Sequence, residues 1–291
     1  MTTPLKNSQA AAEGSPLADP TPWAIRFQRL RDEMTDSEQR VGAYFLEHPD
    51  SLQKSISELV EVSGLGYGTV IRFCKKLGCR GFQEFKVLMA RDVIGKNTDE
   101  QSGGDPDFFQ IVCDRINDDL ARTARNLDRN EVERAASALR NASRVLCVGV
   151  ASSAPLALSL EWKIKRLGIK SSFLSDGYVM AVEASLLSED EVLVAVSSSG
   201  TTKDIVTAAK LARSAGATVV AITNFRKTPL VEASQIRLVT SGGRDPLIAE
   251  VPSLADGELV LTLLAECIRR LDPDVDATVL KTFDAIADRK L

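Results

Sequence analysis

Residues 192–204 read Val192-Leu193-Val194-Ala195-Val196-Ser197-Ser198-Ser199-Gly200-Thr201-Thr202-Lys203-Asp204, and the chain continues as IVTAAKLA. The first five residues are an unbroken apolar run of strand length, rich in β-branched valine, as a parallel strand buried on both faces requires. Beyond the turn, Ile205, Ala208, Ala209, Leu211 and Ala212 recur near the helical period, which predicts a helix beginning around Thr202. The turn itself is crowded with hydroxyls. Its side-chain oxygens and unpaired backbone N–H groups stand at a helix N-terminus, where the macrodipole favours an anion, and Gly200 lets the backbone approach a ligand closely. The same residue types also serve as ordinary N-caps, so the turn alone carries two readings, a phosphate cradle and a structural cap.

Working outward, the strand-turn-helix pattern recurs. Arg144-Val145-Leu146-Cys147-Val148-Gly149 reads as a strand, followed by a helix from about Ser153 to Leu167. Further strands are expected near residues 171–174, 217–222 and 236–239, with a helix near Val179–Leu187 and another running to Ala215. Helices over Phe108–Asn126 and Glu131–Leu139 precede this series, and helices around Gly257–Leu271 and Ala277–Ala287 follow it. Repeated βα units with apolar strands predict a three-layer α/β/α domain built on a parallel sheet. Ligands of such sheets bind beyond the carboxyl ends of the strands. The two strand ends richest in hydroxyls are Gly149–Ser153 and Ser197–Thr202. If their strands are neighbours, both loops open on one crevice, which makes Ser152, Ser153, Ser197, Ser198, Ser199 and Thr202 the candidate anion-binding residues.

The chain has 291 residues, enough for two domains, and its 44% hydrophobic and 26% charged content is that of a globular protein. A net charge of −4 offers nothing to nucleic acid at the level of the whole molecule, so a DNA-binding role has to rest on local charge. No apolar run has the length of a membrane span, and the N-terminus lacks a basic segment followed by an apolar core; a cytoplasmic location is the expectation. The five cysteines, Cys74, Cys79, Cys113, Cys147 and Cys267, are scattered and form no C-x-x-C pair, so they are expected to be reduced and mostly buried. Neither a metal nor a cofactor is expected.

Residues 1–20 are rich in Ala, Ser and Pro and are expected to form a disordered tail. Ile25, Leu30 and Met34 suggest a short amphipathic helix. Thr35 with Glu38 has the form of a capping box that opens a second helix through Val41, Tyr44, Phe45 and Leu46, and Ser55 with Glu58 repeats the device. Ile56, Leu59, Val60 and Val62 supply the apolar face of a short helix, glycines at 64 and 66 interrupt it, and Val70, Phe73, Cys74 and Leu77 resume at helical spacing. Two short helices joined by a Gly-containing turn form a helix-turn-helix. No strand precedes these glycines, which excludes a dinucleotide fingerprint.

The second of these helices carries Thr69, Arg72 and Lys76 opposite its apolar stripe, with Lys75 flanking and Arg80 just beyond. From Gly66 to Arg91 there are six cations, Arg72, Lys75, Lys76, Arg80, Lys86 and Arg91, against the single acid Glu84. Such a local excess suits a recognition helix that neutralises phosphates and reaches base edges from its N-terminal end. The candidate DNA-contacting residues are Tyr67, Thr69, Arg72, Lys75, Lys76 and Arg80. A solvated charged face is the plainer reading of the same residues. Phe82 and Phe85 begin a further helix and brace the domain. The polar, Gly-rich run VIGKNTDEQSGGDP then marks a linker, giving a helix-turn-helix domain over 21–93, a linker over 94–107 and the α/β domain over 108–291.

Taken together, these motifs resemble a known family. VGVASSAPLALSLEWKIKRLG is similar to the first strand, loop and helix of the sugar isomerase (SIS) domain, and AVSSSGTTKD is similar to that domain's second phosphate loop. With an N-terminal segment similar to T-x-x-R-F-x-K-K-L-G, the chain after its first twenty residues resembles the RpiR family of bacterial transcription regulators. The resemblance implies a helix-turn-helix domain that reads double-stranded operator DNA as a homodimer or homotetramer, and an SIS domain that senses a phosphosugar. It places the phosphate-contacting hydroxyls at Ser153, Ser197, Ser199 and Thr202, with Ser198 adding backbone contact. Two departures stand out: the family's first loop usually has a second glycine where this chain has Ala151, and the recognition helix opens with Tyr67-Gly68 in place of a more polar pair.

The expected function is a ligand-responsive regulator of sugar metabolism without catalytic residues. The alternative is a phosphosugar isomerase or aminosugar phosphate lyase on the same fold. That chemistry needs a base beside the sugar carbons. The only histidine, His48, ends a helix of the N-terminal domain, and Glu250 and Asp256 are unpatterned acids. A protein-interaction role for the helix-turn-helix is opposed by its basic face.

Overall fold

The computed structural model describes residues 19, 21–98, 108–241, 254–272 and 274–287. They divide into two compact units, one before residue 107 and one after it.

The first unit is helical. Its helices are α1 (Trp23–Leu30), α2 (Asp36–Glu47), α3 (Ile56–Ser63), α4 (Tyr67–Lys76) and α5 (Phe82–Thr98). Both capping boxes form: Thr35 and Glu38 close the start of α2, and Ser55 and Glu58 the start of α3. Gly64 ends α3 in the left-handed conformation at φ 68°, which costs a glycine little, and Gly66 precedes α4. Leu65, between them, is buried, so the turn contributes to the core. That core is largely aromatic. Trp23 meets Phe85 edge-on at 5.4 Å, Phe45 meets Phe85 at 4.9 Å and Phe27 meets Phe73 at 5.7 Å between ring centroids.

Three apolar positions assigned to this core face outward: Ile25, Leu46 and Val62 are exposed. In α1 the buried stripe is Trp23 and Phe27 with Met34 beyond the helix end, a set whose large aromatics outcompete Ile25 for the interior. Helix α5 runs to Thr98, five residues past the expected end of the domain at 93, and overlaps the start of the expected linker. The tail expected over 1–20 lies outside the described residues except for Asp19, whose carbonyl accepts from Arg26 and Arg91. Residues 99–107 of the expected linker, and Glu250, also lie outside them.

The second unit opens with α6 (Phe108–Asn126) and α7 (Arg129–Asn141) and then alternates: β1 (Val145–Val148), α8 (Ala154–Arg166), β2 (Ser171–Leu174), α9 (Gly177–Ser185), β3 (Val192–Val196), α10 (Lys203–Ser214), β4 (Thr218–Thr223), α11 (Pro229–Glu232) and β5 (Ile236–Val239). Helices α12 (Ala255–Leu271) and α13 (Val275–Ala287) complete it. The five strands are all parallel, in the order β2-β1-β3-β4-β5. The central strands β1 and β3 are buried throughout, which is why they read as continuous apolar runs. Alternate residues serve opposite layers. Val145, Cys147, Val192, Val194 and Val196 pack with α7, α8 and α12, whereas Leu146, Val148, Leu193 and Ala195 pack with α9 and α10.

This order sets a switch point. From β1 the chain passes through α8 on one face to β2; from β3 it passes through α10 on the other face to β4. The connections leaving β1 and β3 therefore diverge, and a crevice opens between their carboxyl ends, where doubly wound sheets bind ligands. The strands are in step, with Val148 beside Ala195, so the two hydroxyl loops leave the sheet at the same height.

Candidate functional site

The first loop follows Val148. Gly149 sits where a Cβ would come within 2.8 Å of the Ser153 carbonyl oxygen, so the chain turns there only because the side chain is missing. Ala151 then adopts φ 48°, the single non-glycine residue with positive φ among the described residues. Left-handed backbone costs an L-residue about 1–2 kcal/mol, and a strained residue of this kind concentrates at ligand sites. The glycine usual at this place in the resembled family would adopt that angle without the cost. A short 3-10 turn over Ala151–Ser153 delivers Ser152 to the surface and buries Ser153 at the start of α8.

The second loop follows Val196. Ser197 is buried, and its Oγ accepts from the Gly200 N–H at 3.2 Å and lies 3.1 Å from Thr202 Oγ1. Ser199 Oγ accepts from the Thr201 N–H at 3.3 Å and from its hydroxyl at 3.0 Å. Gly200 has φ 64°, and a Cβ on it would stand 2.4 Å from Thr228 Oγ1, so both backbone angle and space require glycine. The strand next door fixes the base of the loop. Asn224 N–H and Thr223 Oγ1 both donate to the Ser198 carbonyl, at 3.0 and 3.2 Å.

One contact joins the loops: the Ser198 N–H donates to Ser153 Oγ at 3.4 Å, across forty-five residues of sequence. This bond and the Ser197–Thr202 contact bring Ser153, Ser197, Ser198 and Thr202 together above β1 and β3; Ser199 lies in the same turn, and Ser152 is exposed on the first loop. Thr202 is the N-cap of α10 but makes no capping hydrogen bond, because its hydroxyl turns to Ser197. Ser153, at the start of α8, makes none either. The starts of α8 and α10 therefore lie beside these hydroxyls without a side-chain cap.

In the helical unit the second candidate site is α4. Tyr67, Arg72, Lys75, Lys76 and Arg80 are exposed and Thr69 is half-buried. The helix period puts Gly68, Arg72 and Lys75 on the outward face, opposite Val70, Phe73 and Cys74. Arg72 lies over Gly68, where a Cβ would come 3.3 Å from Arg72 Nη1, and donates to Thr69 Oγ1 at 3.2 Å. The basic surface is smaller than the sequence suggests. Lys86 is buried, donating to the Lys54 carbonyl and facing the Phe82 ring. Arg91 pairs with Asp92, Arg80 pairs with Glu84, and Arg72 and Lys76 both approach Glu38 of α2. Sequence reasoning missed Glu38, whose partners lie a helix-turn-helix away; the capping box signals only its local role.

Other candidate chemistry is dispersed. His48 ends α2 against the Tyr44 ring at 4.4 Å. Asp256 is buried in the first turn of α12. Cys74, Cys79 and Cys147 are buried, and burial pushes the Cys79 thiol up to about 12, so these cysteines are inert; Cys113 is exposed and Cys267 half-buried. Among the described residues no His, Cys, Asp and Glu side chains gather to hold a metal ion, and no helix is long and apolar enough to cross a membrane.

Comparison with known proteins agrees with this division. Residues 24–95 match the helix-turn-helix domain of the rpiR family, and residues 138–264 match the SIS domain. An uncharacterized HTH-type transcriptional regulator of Caldanaerobacter subterraneus is 31% identical over 222 residues, covering 74% of this chain and 78% of that protein. The bifunctional protein glk of Burkholderia thailandensis is 34% identical over 221 residues, which are 74% of this chain but 34% of the relative, so the chain spans about a third of that protein's length. Among solved structures, the Vibrio vulnificus NanR protein complexed with ManNAc-6P superposes with a TM-score of 0.77 at 25% identity, covering 92% of this chain and 99% of that one. The sugar isomerase domain of an RpiR transcription factor from Sphaerobacter thermophilus shares the fold, with a TM-score of 0.56 at 23% identity over 62% of this chain and 99% of that one. The helix-turn-helix match falls on the helical unit and the SIS match on the parallel-sheet unit, and the chain belongs to the RpiR family.

Proposed function

We propose that this chain is a DNA-binding transcriptional regulator of sugar metabolism whose affinity for operator DNA is set by a phosphosugar bound between the two serine loops. The observation that carries the reading is the convergence of both loops over β1 and β3, joined by the bond from Ser198 N–H to Ser153 Oγ. Ser152, Ser153, Ser197, Ser198, Ser199 and Thr202 and the uncapped starts of α8 and α10 hold the phosphate. Its dianion gains from the helix dipoles and from charge-assisted hydrogen bonds. The NanR structure with a bound hexosamine 6-phosphate supports this ligand class. Tyr67, Thr69, Arg72, Lys75 and Arg80 meet the duplex, with Lys75 and Arg72 on phosphates. The protein works as a homodimer or homotetramer in the cytoplasm, and the ligand shifts operator affinity only by as much as it prefers one arrangement of the assembly over another.

No catalytic step is assigned. The single histidine is bound up with Tyr44 in the helical unit, and Asp256 is a buried helix-start residue. A thermal-shift titration of the full chain tests the ligand class. Binding at a hundred times Kd adds about 2.7 kcal/mol of stability. Sugar 6-phosphates are expected to raise the unfolding midpoint saturably while the parent sugars leave it in place. Equal shifts from both, or none from any phosphosugar, overturn the reading, and turnover of a phosphosugar revives the isomerase alternative.

A further inference from the structure

Glu38 is an acid with two cations of the recognition helix leaning on it. Its side chain is 3% exposed, and its Oε2 accepts from the Thr35 N–H at 2.9 Å, as the capping box requires. The same oxygen stands 3.3 Å from Lys76 Nζ, while Oε1 stands 3.7 Å from Arg72 Nε. Lys76 is committed further, because its ammonium also donates to the Glu33 carbonyl at the end of the 3-10 turn after α1. Its side chain is 37% exposed, against 63% for Arg72. The Thr35 N–H holds the Glu38 carboxyl below its ordinary range, against the effect of burial and with help from Lys76.

Drawing Lys76 away to a DNA phosphate strips a buried carboxylate of its nearest counter-charge, which is strongly unfavourable. Arg72 is different: its guanidinium is longer, more exposed and forked, so it can lean on Glu38 through Nε and present its other nitrogens outward. We propose that Glu38 is a positioning residue of the DNA-binding surface, holding Lys76 out of phosphate contact and orienting Arg72. The consequence is a recognition helix with less sequence-independent attraction for DNA than its count of cations implies, and so with better discrimination. This inference rests on the DNA-binding role proposed above.

The test is the slope of log Kobs against log salt for the full chain, on a duplex from its own promoter region and on an unrelated duplex. Each phosphate neutralised contributes about 0.9 to that slope. Glu38→Gln keeps a capping-box acceptor at this position but removes the charge. It is expected to steepen the slope by about 1 as Lys76 is released, to tighten binding to the unrelated duplex, and to narrow the ratio between the two duplexes. Lys76→Met in the otherwise native chain is expected to leave the slope unchanged, and it decides the matter if Glu38→Gln does not fold. A slope shallower by about 1 in Lys76→Met, or an unchanged slope and ratio in a folded Glu38→Gln, overturns the inference alone. Absence of salt-sensitive duplex binding by the native protein overturns the DNA-binding role and this inference with it.

Discussion

The serine crevice and the recognition helix are both polar surfaces, yet their polar groups are partnered differently. In the second loop of the crevice the hydroxyls find partners close in sequence: Ser197 bonds Gly200 and Thr202, and Ser199 bonds Thr201, so the hydroxyls organise one another, while Ser198 reaches Ser153 of the first loop. On the recognition helix two cations find their acid far off in sequence. Glu38, two helices earlier, takes up Arg72 and Lys76, and Lys86 is drawn into the core. A count of hydroxyls therefore describes the first surface well, and a count of charges overstates the second.

The largest expected effect would break the crevice side of this contrast. Gly200→Ala forces a left-handed alanine against Thr228, a combination worth roughly 2–4 kcal/mol. That lowers the unfolding midpoint of the second unit by on the order of 10 °C. An unchanged midpoint would mean that the loop repacks freely and its hydroxyls are not prearranged.

On the other side, Arg72→Ala is expected to weaken operator binding by about 1–3 kcal/mol and Lys75→Ala by less, each flattening the salt slope by about 1. Fluorescence anisotropy on a labelled duplex reads both. Ser153→Ala with Ser199→Ala should leave binding in the absence of sugar within about twofold, since surface-independent sites add separately.

A smaller effect comes with pH. The Glu38 carboxyl is lowered from its ordinary 4.5, so its contribution to stability is complete above that pH and is lost as pH falls through the lowered folded value. Denaturant titrations of the native chain and Glu38→Gln are expected to differ above about pH 4.5 and to converge in stronger acid, with Arg72 and Lys76 the charged groups that face the carboxylate. A constant difference across that range would show that Glu38 does not titrate differently in the folded state. Smallest of all, Ala151→Gly relieves the positive φ of the first loop at some cost in chain entropy, and is expected to raise stability by up to about 1 kcal/mol. A loss of stability would show that the left-handed turn is not strained.

What was legible in the sequence follows from the range of the forces involved. Strands β1 and β3 announced themselves as apolar runs because both faces are buried, and Thr35 with Glu38 and Ser55 with Glu58 announced α2 and α3 because caps act over three residues. The hydroxyls of both loops were legible for the same reason. Their meeting depended on β1 and β3 being neighbours, a property of topology. Ile25, Leu46 and Val62 lie outside the core, and helical spacing cannot decide which of two apolar stripes wins it; Trp23, Phe27 and Phe45 fill it more completely. The extension of α5 to Thr98 runs through a stretch whose polar composition suggested a break. In the sequence Glu38 is legible as a cap alone, since its contacts with Arg72 and Lys76 depend on α4 packing across α2.

In the proposed function, occupation of the serine crevice changes the affinity of the recognition helix for DNA. The most direct measurement is duplex binding by the full chain, titrated against a panel of sugar 6-phosphates, in the native protein and in Ser153→Ala with Ser199→Ala. At least one phosphosugar is expected to shift the binding midpoint of the native protein, and the same compound to leave the variant unmoved. A variant that responds as the native protein does, or a native protein whose DNA binding ignores every phosphosugar, would contradict the proposed function.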